Sequence, residues 1–441
     1  MEGQRMKKRL LIAFMMVGAL LLVACSGDGE DNNANNANND KTADKAADNE
    51  VVAWAWDPEF NIAALEIAKE HYDGDEDITL DIIENAQDDI IQKLNTGLSS
   101  GAGKGLPHIV LIEDYRSQNF LESYPDAFYP LDDYIDTDDF ADYKIATTQF
   151  DGKQYGVPFD SGATGLYVRT DYLEEAGYTV DDLQNITWQE YIEIGKDIKE
   201  ATGKDLLTLD PNDLGQIRVM IQSAGLWYVD EDGETPNIAN NDALAEAFEV
   251  YKGLMDADIV KTVSDWSQFV GAFNSGDVAS VPTGNWITPS IKAEESQEGN
   301  WAVVPIPVLE HEDSIHASNL GGSSWYVLNV DGKEQAAEFL ANTFGSNTEM
   351  YEDLVTEIGA IGAYLPALDA DAFTSEDEFF GGQSIIEDFS QWTDEVPGVN
   401  YGLHTYQIED VIVEAMQQYL NGEDLTDVLQ NAQEQAESQI N

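Results

Sequence analysis

Residues 51–112 alternate between two hydrophobic periods, and that alternation limits the fold more than any other feature. Val51–Ala55, Ile78–Ile83 and His108–Ile112 are short apolar runs rich in β-branched residues. Between them Ile62, Leu65, Ala68 and Tyr72, and then Ile91, Leu94 and Leu98, recur every three or four residues. Short apolar runs suit strands buried on both faces, and the longer period suits amphipathic helices. The order strand–helix–strand–helix–strand predicts a parallel sheet with helices on its faces. Asp57-Pro58 offers a cap and first-turn proline for the first helix, Asp88 a cap for the second, and Gly101–Gly105 a stop.

Farther along, Thr187-Trp-Gln-Glu190 reads as a capping box opening a helix through Tyr191, Ile194 and Ile198 to Gly203. Asp242 starts another helix with Leu244, Ala247, Phe248, Tyr251 and Met255 on one face. Strands are expected at Ala302–Pro305 and Trp325–Leu328. Two amphipathic helices close the chain, through Ile408–Tyr419 and Leu425–Ala436. No internal repeat is visible, and 441 residues with 43% hydrophobic content predict two α/β lobes.

The N-terminus reads as an address. Arg5, Lys7, Lys8 and Arg9 precede the apolar run Leu10–Ala24, too short to span a bilayer and suited to a signal-peptide core. The run ends Leu22-Val23-Ala24-Cys25, and Cys25 is the only cysteine. This resembles a bacterial lipobox, which implies a lipid (palmitate-type) anchor on Cys25. Ser26–Glu50 is rich in Asn, Asp and Ala and reads as a flexible tether.

Lys+Arg total 21 against Asp+Glu 85, a formal charge of −64. Removing residues 1–24 takes four cations and one anion (Glu2), leaving −67. That field repels phosphate backbones and anionic headgroups, so no nucleic acid is expected as partner and no membrane contact beyond the anchor. Self-repulsion of this size predicts a protein adapted to salt.

Chemistry has few footholds. No G-x-S-x-G elbow occurs, the five histidines are scattered, and one cysteine cannot build a thiolate metal site. Gly101–Leu106 lacks the Ser/Thr of a phosphate loop and precedes a strand instead of following one. No cofactor and no metal is therefore expected. Polar and aromatic residues do cluster at strand ends: Trp56 and Asp57, then Asp88, then Asp114 and Arg116. Ligands bind beyond the carboxyl ends of parallel strands. Arg116 is expected to pair with Asp114 or a ligand hydroxyl. Rings stack on sugar faces while carboxylates, amides and arginine meet the hydroxyls. Trp286 in Gly284-Asn-Trp-Ile-Thr-Pro289 is the strongest such ring. A carboxylate pair for glycoside hydrolysis always exists by chance in so acidic a chain.

Four further stretches, with the lipobox, carry a resemblance. They are Gly152-Lys-Gln-Tyr-Gly-Val-Pro158 running into Phe159-Asp-Ser-Gly162 and Leu166-Tyr-Val-Arg-Thr-Asp171; Phe269-Val-Gly-Ala-Phe-Asn-Ser-Gly276; Gly284-Asn-Trp286; and Ser318-Asn-Leu-Gly-Gly-Ser-Ser-Trp325. Together they resemble the family 1 extracellular solute-binding proteins of the maltodextrin-binding type, and parts resemble the lactose- and arabinose-oligosaccharide-binding members. The resemblance implies a two-lobe, type II periplasmic-binding-protein-like α/β fold with a ligand cleft between lobes joined by crossing hinge segments. It implies a leader (1–24), a lipidated linker (25–50), lobe one (51–160 plus 322–370) and lobe two (161–321 plus 371–441).

It also implies that Asp160, Asp210, Asn212, Trp286, Gly321, Gly322, Tyr401 and His404 sit at the cleft, with Trp56, Asp57, Asp88, Asp114 and Arg116 contributed by the strand ends. The implied role is capture of a mono-, di- or oligosaccharide by a monomeric, non-enzymatic, lipid-anchored receptor at the extracellular face. Its implied partners are the permease subunits of an ABC importer. A lipid-anchored glycoside hydrolase and a receptor for a non-sugar ligand such as a peptide remain alternatives.

Overall fold

A computed structural model describes residues 41–440 except 48, 75–77, 102, 141 and 369. The leader, Cys25 and most of the tether lie outside the described residues. The strands, in chain order, are β1 (Glu50–Ala55), β2 (Thr79–Glu84), β3 (Ile109–Glu113), β4 (Gln149–Phe150), β5 (Lys153–Gln154), β6 (Gly156–Asp160), β7 (Thr164–Arg169), β8 (Leu207–Leu209), β9 (Val260–Thr262), β10 (Ser280–Gly284), β11 (Trp301–Val304) and β12 (Ser323–Val327).

Period two along β1 builds the first lobe. Val51, Ala53 and Ala55 face one core together with Leu65 and Ala68 of helix Ala63–His71. Val52 and Trp54 face the other, with Ile90, Leu94 and Leu98 of helix Gln87–Ser99. Burial on both faces is why the run is continuously apolar. The sheet order is β2-β1-β3-β12-β6. The first three strands are parallel, as the alternation predicts, but β12 runs antiparallel to both β3 and β6. The second lobe is built on the antiparallel sheet β10-β7-β11 and the parallel pair β8-β9. The parallel core predicted from residues 51–112 is thus present, and antiparallel strands from later in the chain extend it. Strands more than a hundred residues apart pair here, and local periodicity carries no record of such pairing.

Local signals fare better. Thr187 and Glu190 form the capping box on helix Trp188–Thr202, and Gly203 ends it with φ 72°. Asp57 caps the helical turn Pro58–Ile62. Asp88 is a correction: Ala86 is the cap of helix Gln87–Ser99, and Asp88 is an exposed residue of its first turn, where a carboxylate favours the helix dipole. The last helices run Thr405–Leu420 and Leu425–Ile440, their apolar stripes packed into the second lobe.

The tether reading also ends early. Lys41 pairs with Glu50 and, at 2.9 Å, with Asp81, Thr42 is buried, and Ala43 N donates to Leu106 O at 2.8 Å. This segment docks because a charged side chain and backbone donors find fixed partners at the edge of the first sheet.

Candidate functional site

Three stretches pass between the lobes and pair with one another. Residues 161–163 link β6 to β7, and residues 318–322 return to β12. Leu320 N donates to Gly162 O at 2.8 Å, Thr164 N to Ser318 O at 2.9 Å, and Gly162 N to Asn319 Oδ1 at 3.0 Å. Ser161 N and Phe159 O then hold Ile361 O and Ala363 N of the third stretch, at 3.0 and 3.1 Å. Glycine is required where these strands touch. A Cβ on Gly162 would strike the Leu320 carbonyl. Gly322 has φ +87°, and a Cβ there would lie 2.8 Å from Asp114 Oδ2.

A buried charge group sits behind the second crossing. Lys144, 0% exposed, donates to Asp114 Oδ2 at 2.5 Å and to Ser323 O at 3.0 Å. Ser324 Oγ reaches Asp114 Oδ1 at 3.2 Å. Asp160 accepts from Ser323 N at 2.8 Å and from its hydroxyl at 2.5 Å. Burial raises the Asp114 carboxyl above its usual range, with Lys144 pulling the other way. Burial likewise pushes Asp160 up to about 6, against Lys144 and the Ser323 bonds. Lys144 pairs with Asp114 and acts on Asp160 only through its charge, so one buried ammonium does not offset both carboxylates.

In front of the crossing lies a cavity of about 540 Å³. Asp114, Gln118 and Thr147 line it from the first lobe, Gln222, Asp232 and Glu234 from the second, and Val396–Leu403 closes one side. Its aromatic wall is Tyr401, set edge-on to Tyr115 (4.6 Å) and near Trp227 (4.8 Å). Gln222 Nε2 and Asn319 Nδ2 donate to the Tyr401 hydroxyl at 3.2 and 3.3 Å. Acceptors, amides and the Tyr401 ring around a half-open cavity suit a neutral polyhydroxyl ligand.

The lobes also touch directly beside this cavity. The Tyr406 hydroxyl donates to the Glu113 carboxylate, and the Arg116 guanidinium lies 3.6 Å above the Tyr406 ring. Burial and the Glu113 charge raise the Tyr406 hydroxyl well above its ordinary range, which keeps it a donor. Asn119 Nδ2 donates to Leu403 O at 3.1 Å.

Of the residues singled out by sequence, Asp114 and Tyr401 line the cavity, and Gly321 and Gly322 shape the crossing behind it. Trp286 packs on the same crossing, its Nε1 donating to Leu320 O at 2.8 Å. Asp160 is buried in the charge group. Arg116 meets Glu113 (3.5 Å) and Tyr406; it is Lys144 that neutralises Asp114, correcting the expected partner. His404 stands at the cap of helix Thr405–Leu420 with a buried Nδ1 that has no partner among the described residues.

The remaining five do not line the cavity. Trp56 is half-buried at the end of β1. Asp57 accepts from Glu59 N at 2.9 Å, and burial raises its carboxyl. Asp88 is exposed. Asp210 and Asn212 form an Asx turn, with Asn212 N donating to Asp210 Oδ1 at 2.9 Å.

Sequence reading passed over Lys144, Gln222, Trp227 and Asn285, and placed the late aromatic contact only within Tyr401–Tyr406. Lysine scarcity was the one signal for Lys144. Asn285 is 1% exposed with both amide atoms unpartnered among the described residues, and its place beside Trp286 was the available clue.

Comparison with known proteins places this geometry. Residues 63–381 match the family model described as bacterial extracellular solute-binding protein. The chain is 44% identical to the lactose-binding protein of Rhizobium radiobacter over all of both chains. It is 27% identical to the arabinooligosaccharide-binding protein of Halalkalibacterium halodurans, over 70% of this chain and 71% of that one. The fold superposes on the GacH receptor of Streptomyces glaucescens GLA.O with a TM-score of 0.75, at 19% identity, over 89% of this chain and 98% of the other. It matches an ABC-transporter-associated binding protein from B. animalis subsp. lactis Bl-04, solved with β-1,6-galactobiose, with a TM-score of 0.73 at 22% identity over the same shares.

Proposed function

Since the chain belongs to the bacterial extracellular solute-binding protein family, we propose that it captures a mono-, di- or oligosaccharide between its lobes and delivers it to the permease of an ABC importer. The receptor does no chemistry. It is held at the extracellular face through a lipid on Cys25, with the leader 1–24 removed, and it works as a monomer. Residues 51–160 plus 322–370 form one moving body and 161–321 plus 371–441 the other.

The observation that carries this reading is the cavity of about 540 Å³, lined by carboxylates, amides and Tyr401 contributed by both lobes. A ligand held by both lobes gains all its contacts only when they are closed, so it shifts an open–closed equilibrium. Asp114, Gln118, Gln222, Asp232 and Tyr401 bond the sugar, and Trp286 stacks on it at the crossing. The contacts of Tyr406 with Glu113 and Arg116 of lobe one bias the molecule toward closure.

The relative named for lactose makes β-galactosides the first ligands to test, with arabino-oligosaccharides and maltodextrins beside them. The test is thermal unfolding and calorimetry of residues 41–441 at high salt. A ligand at a hundred times Kd adds about 2.7 kcal/mol of stability. The expected result is a raised melting temperature with one sugar class, and that sugar recovered intact. Cleaved sugar would replace the receptor by the hydrolase, and a response to peptides alone would end the sugar assignment.

A further inference from the structure

Among the described residues, Tyr115 is the one side chain from 51–160 or 322–370 that is buried in the core of the other lobe. It is the second residue of helix Asp114–Ser123. Phe120 and Leu121, five and six residues on, pack in the core of the first sheet. At about 100° per residue they lie on the opposite side of the helix, so its first turn aims the Tyr115 ring out of its own lobe.

The ring is 2% exposed and meets three rings of lobe two. Tyr401 stands edge-on at 4.6 Å, Trp227 lies at 5.4 Å and Tyr406 at 6.4 Å. The Arg218 guanidinium, paired with Glu409, is 5.6 Å from the ring centre. The hydroxyl is spent on the backbone of the second crossing. It accepts from Gly321 N at 3.0 Å and donates to Asn319 O at 3.4 Å. Burial holds the phenol well above its ordinary range, so it keeps the proton it donates. The Asn319 side chain accepts from Gly162 N of the first crossing and donates to the Tyr401 hydroxyl on the cavity wall.

The lobes cannot part and keep this arrangement. Tyr115 travels with lobe one, while Trp227, Tyr401 and Tyr406 travel with lobe two. Separation draws the ring from among them and wets aromatic surface on both sides, which opposes opening. The same movement removes the edge contact that sets Tyr401 against the cavity.

We propose that Tyr115 is a positioning residue for ligand capture: a pin carried by lobe one and seated in the lobe-two core, which holds Tyr401 against the cavity and withdraws before the ligand leaves. The proposal rests on the sugar-receptor reading for its ligand and on the two moving bodies for its motion.

The test uses the chain from residue 25 with Cys25→Ser, and lactose as the probe. Tyr115→Phe and Tyr115→Leu both lose the hydroxyl, so the difference between them reads the ring. Without ligand, solution scattering should give a larger radius of gyration for Tyr115→Leu than for the parent or Tyr115→Phe, and lactose should remove the difference. Stopped-flow release of lactose should be about tenfold faster from Tyr115→Leu, with association little changed, and within about threefold of the parent from Tyr115→Phe. A ring that only fills the core would lower the melting temperature of Tyr115→Leu while leaving its ligand-free radius and release rate those of the parent, and that result overturns the proposal. Equal effects of the two variants would assign them to the hydroxyl and overturn the seated ring as well. If the parent bound no saccharide, the sugar reading would fall, and the ligand-free radii would still decide the pin.

Discussion

Asp160 has a strand-end position in the sequence, and its environment gives it a pH dependence. Its folded carboxyl titrates at about 6 against an ordinary 3.8. Between those values the native chain binds a proton that the unfolded chain does not, so stability falls as pH rises through this window. The penalty is complete above about pH 6 and absent below about pH 4. Asp160→Asn keeps an acceptor for Ser323 and removes the charge. Its advantage over the parent should be about 3 kcal/mol greater at pH 8 than at pH 3.5. Urea unfolding at the two pH values checks this; an equal offset at both would mean that the folded Asp160 carboxyl titrates at its ordinary value. Gly322 is constrained in the opposite sense. With φ +87° and Asp114 at 2.8 Å from any Cβ, Gly322→Ala should cost at least about 1–2 kcal/mol and lower the melting temperature.

At the scale of elements, the two lobes meet where the start of helix Asp114–Ser123 faces the start of helix Thr405–Leu420. Tyr406 is the bolt between them, bonded to Glu113 and covered by Arg116. A hydrogen bond to a charged acceptor is worth about 1.5–3 kcal/mol. Tyr406→Phe should therefore enlarge the ligand-free molecule in solution scattering and weaken sugar binding by about tenfold or more. The liganded dimensions should stay those of the parent. A ligand-free radius unchanged by the variant would show that other contacts hold the lobes together.

For the molecule as a whole, charge dominates. The formal charge of −64 is spread over a surface with few cations, and some of the pairs among the described residues are exposed at both ends, such as Lys196–Glu193 and Lys69–Glu66. Exposed pairs contribute at most about 1 kcal/mol each, while the collective repulsion is long-ranged and salt-screened. Stability should therefore rise steadily between low and molar NaCl, followed by urea midpoints at fixed pH. A flat response would mean that the acidity does not strain the fold.

Elements governed by neighbours in the chain were legible in the sequence. The β1 run, the Thr187 capping box and the stripes of the last two helices depend on side chains within a few residues, so their periods and caps predict them. The Gly-Asn-Trp loop and the paired glycines of the second crossing were legible as motifs. Their partners were not. The antiparallel docking of β12 between β3 and β6, Lys144 under Asp114, and Tyr406 against Glu113 join residues from 30 to nearly 300 positions apart. Acidic residues are so abundant in this chain that composition cannot single out the few that matter. Burial singles them out, because removing water makes a carboxylate shift its pKa or find a partner, and which carboxylates lose their water is settled only when segments far apart in the chain pack together.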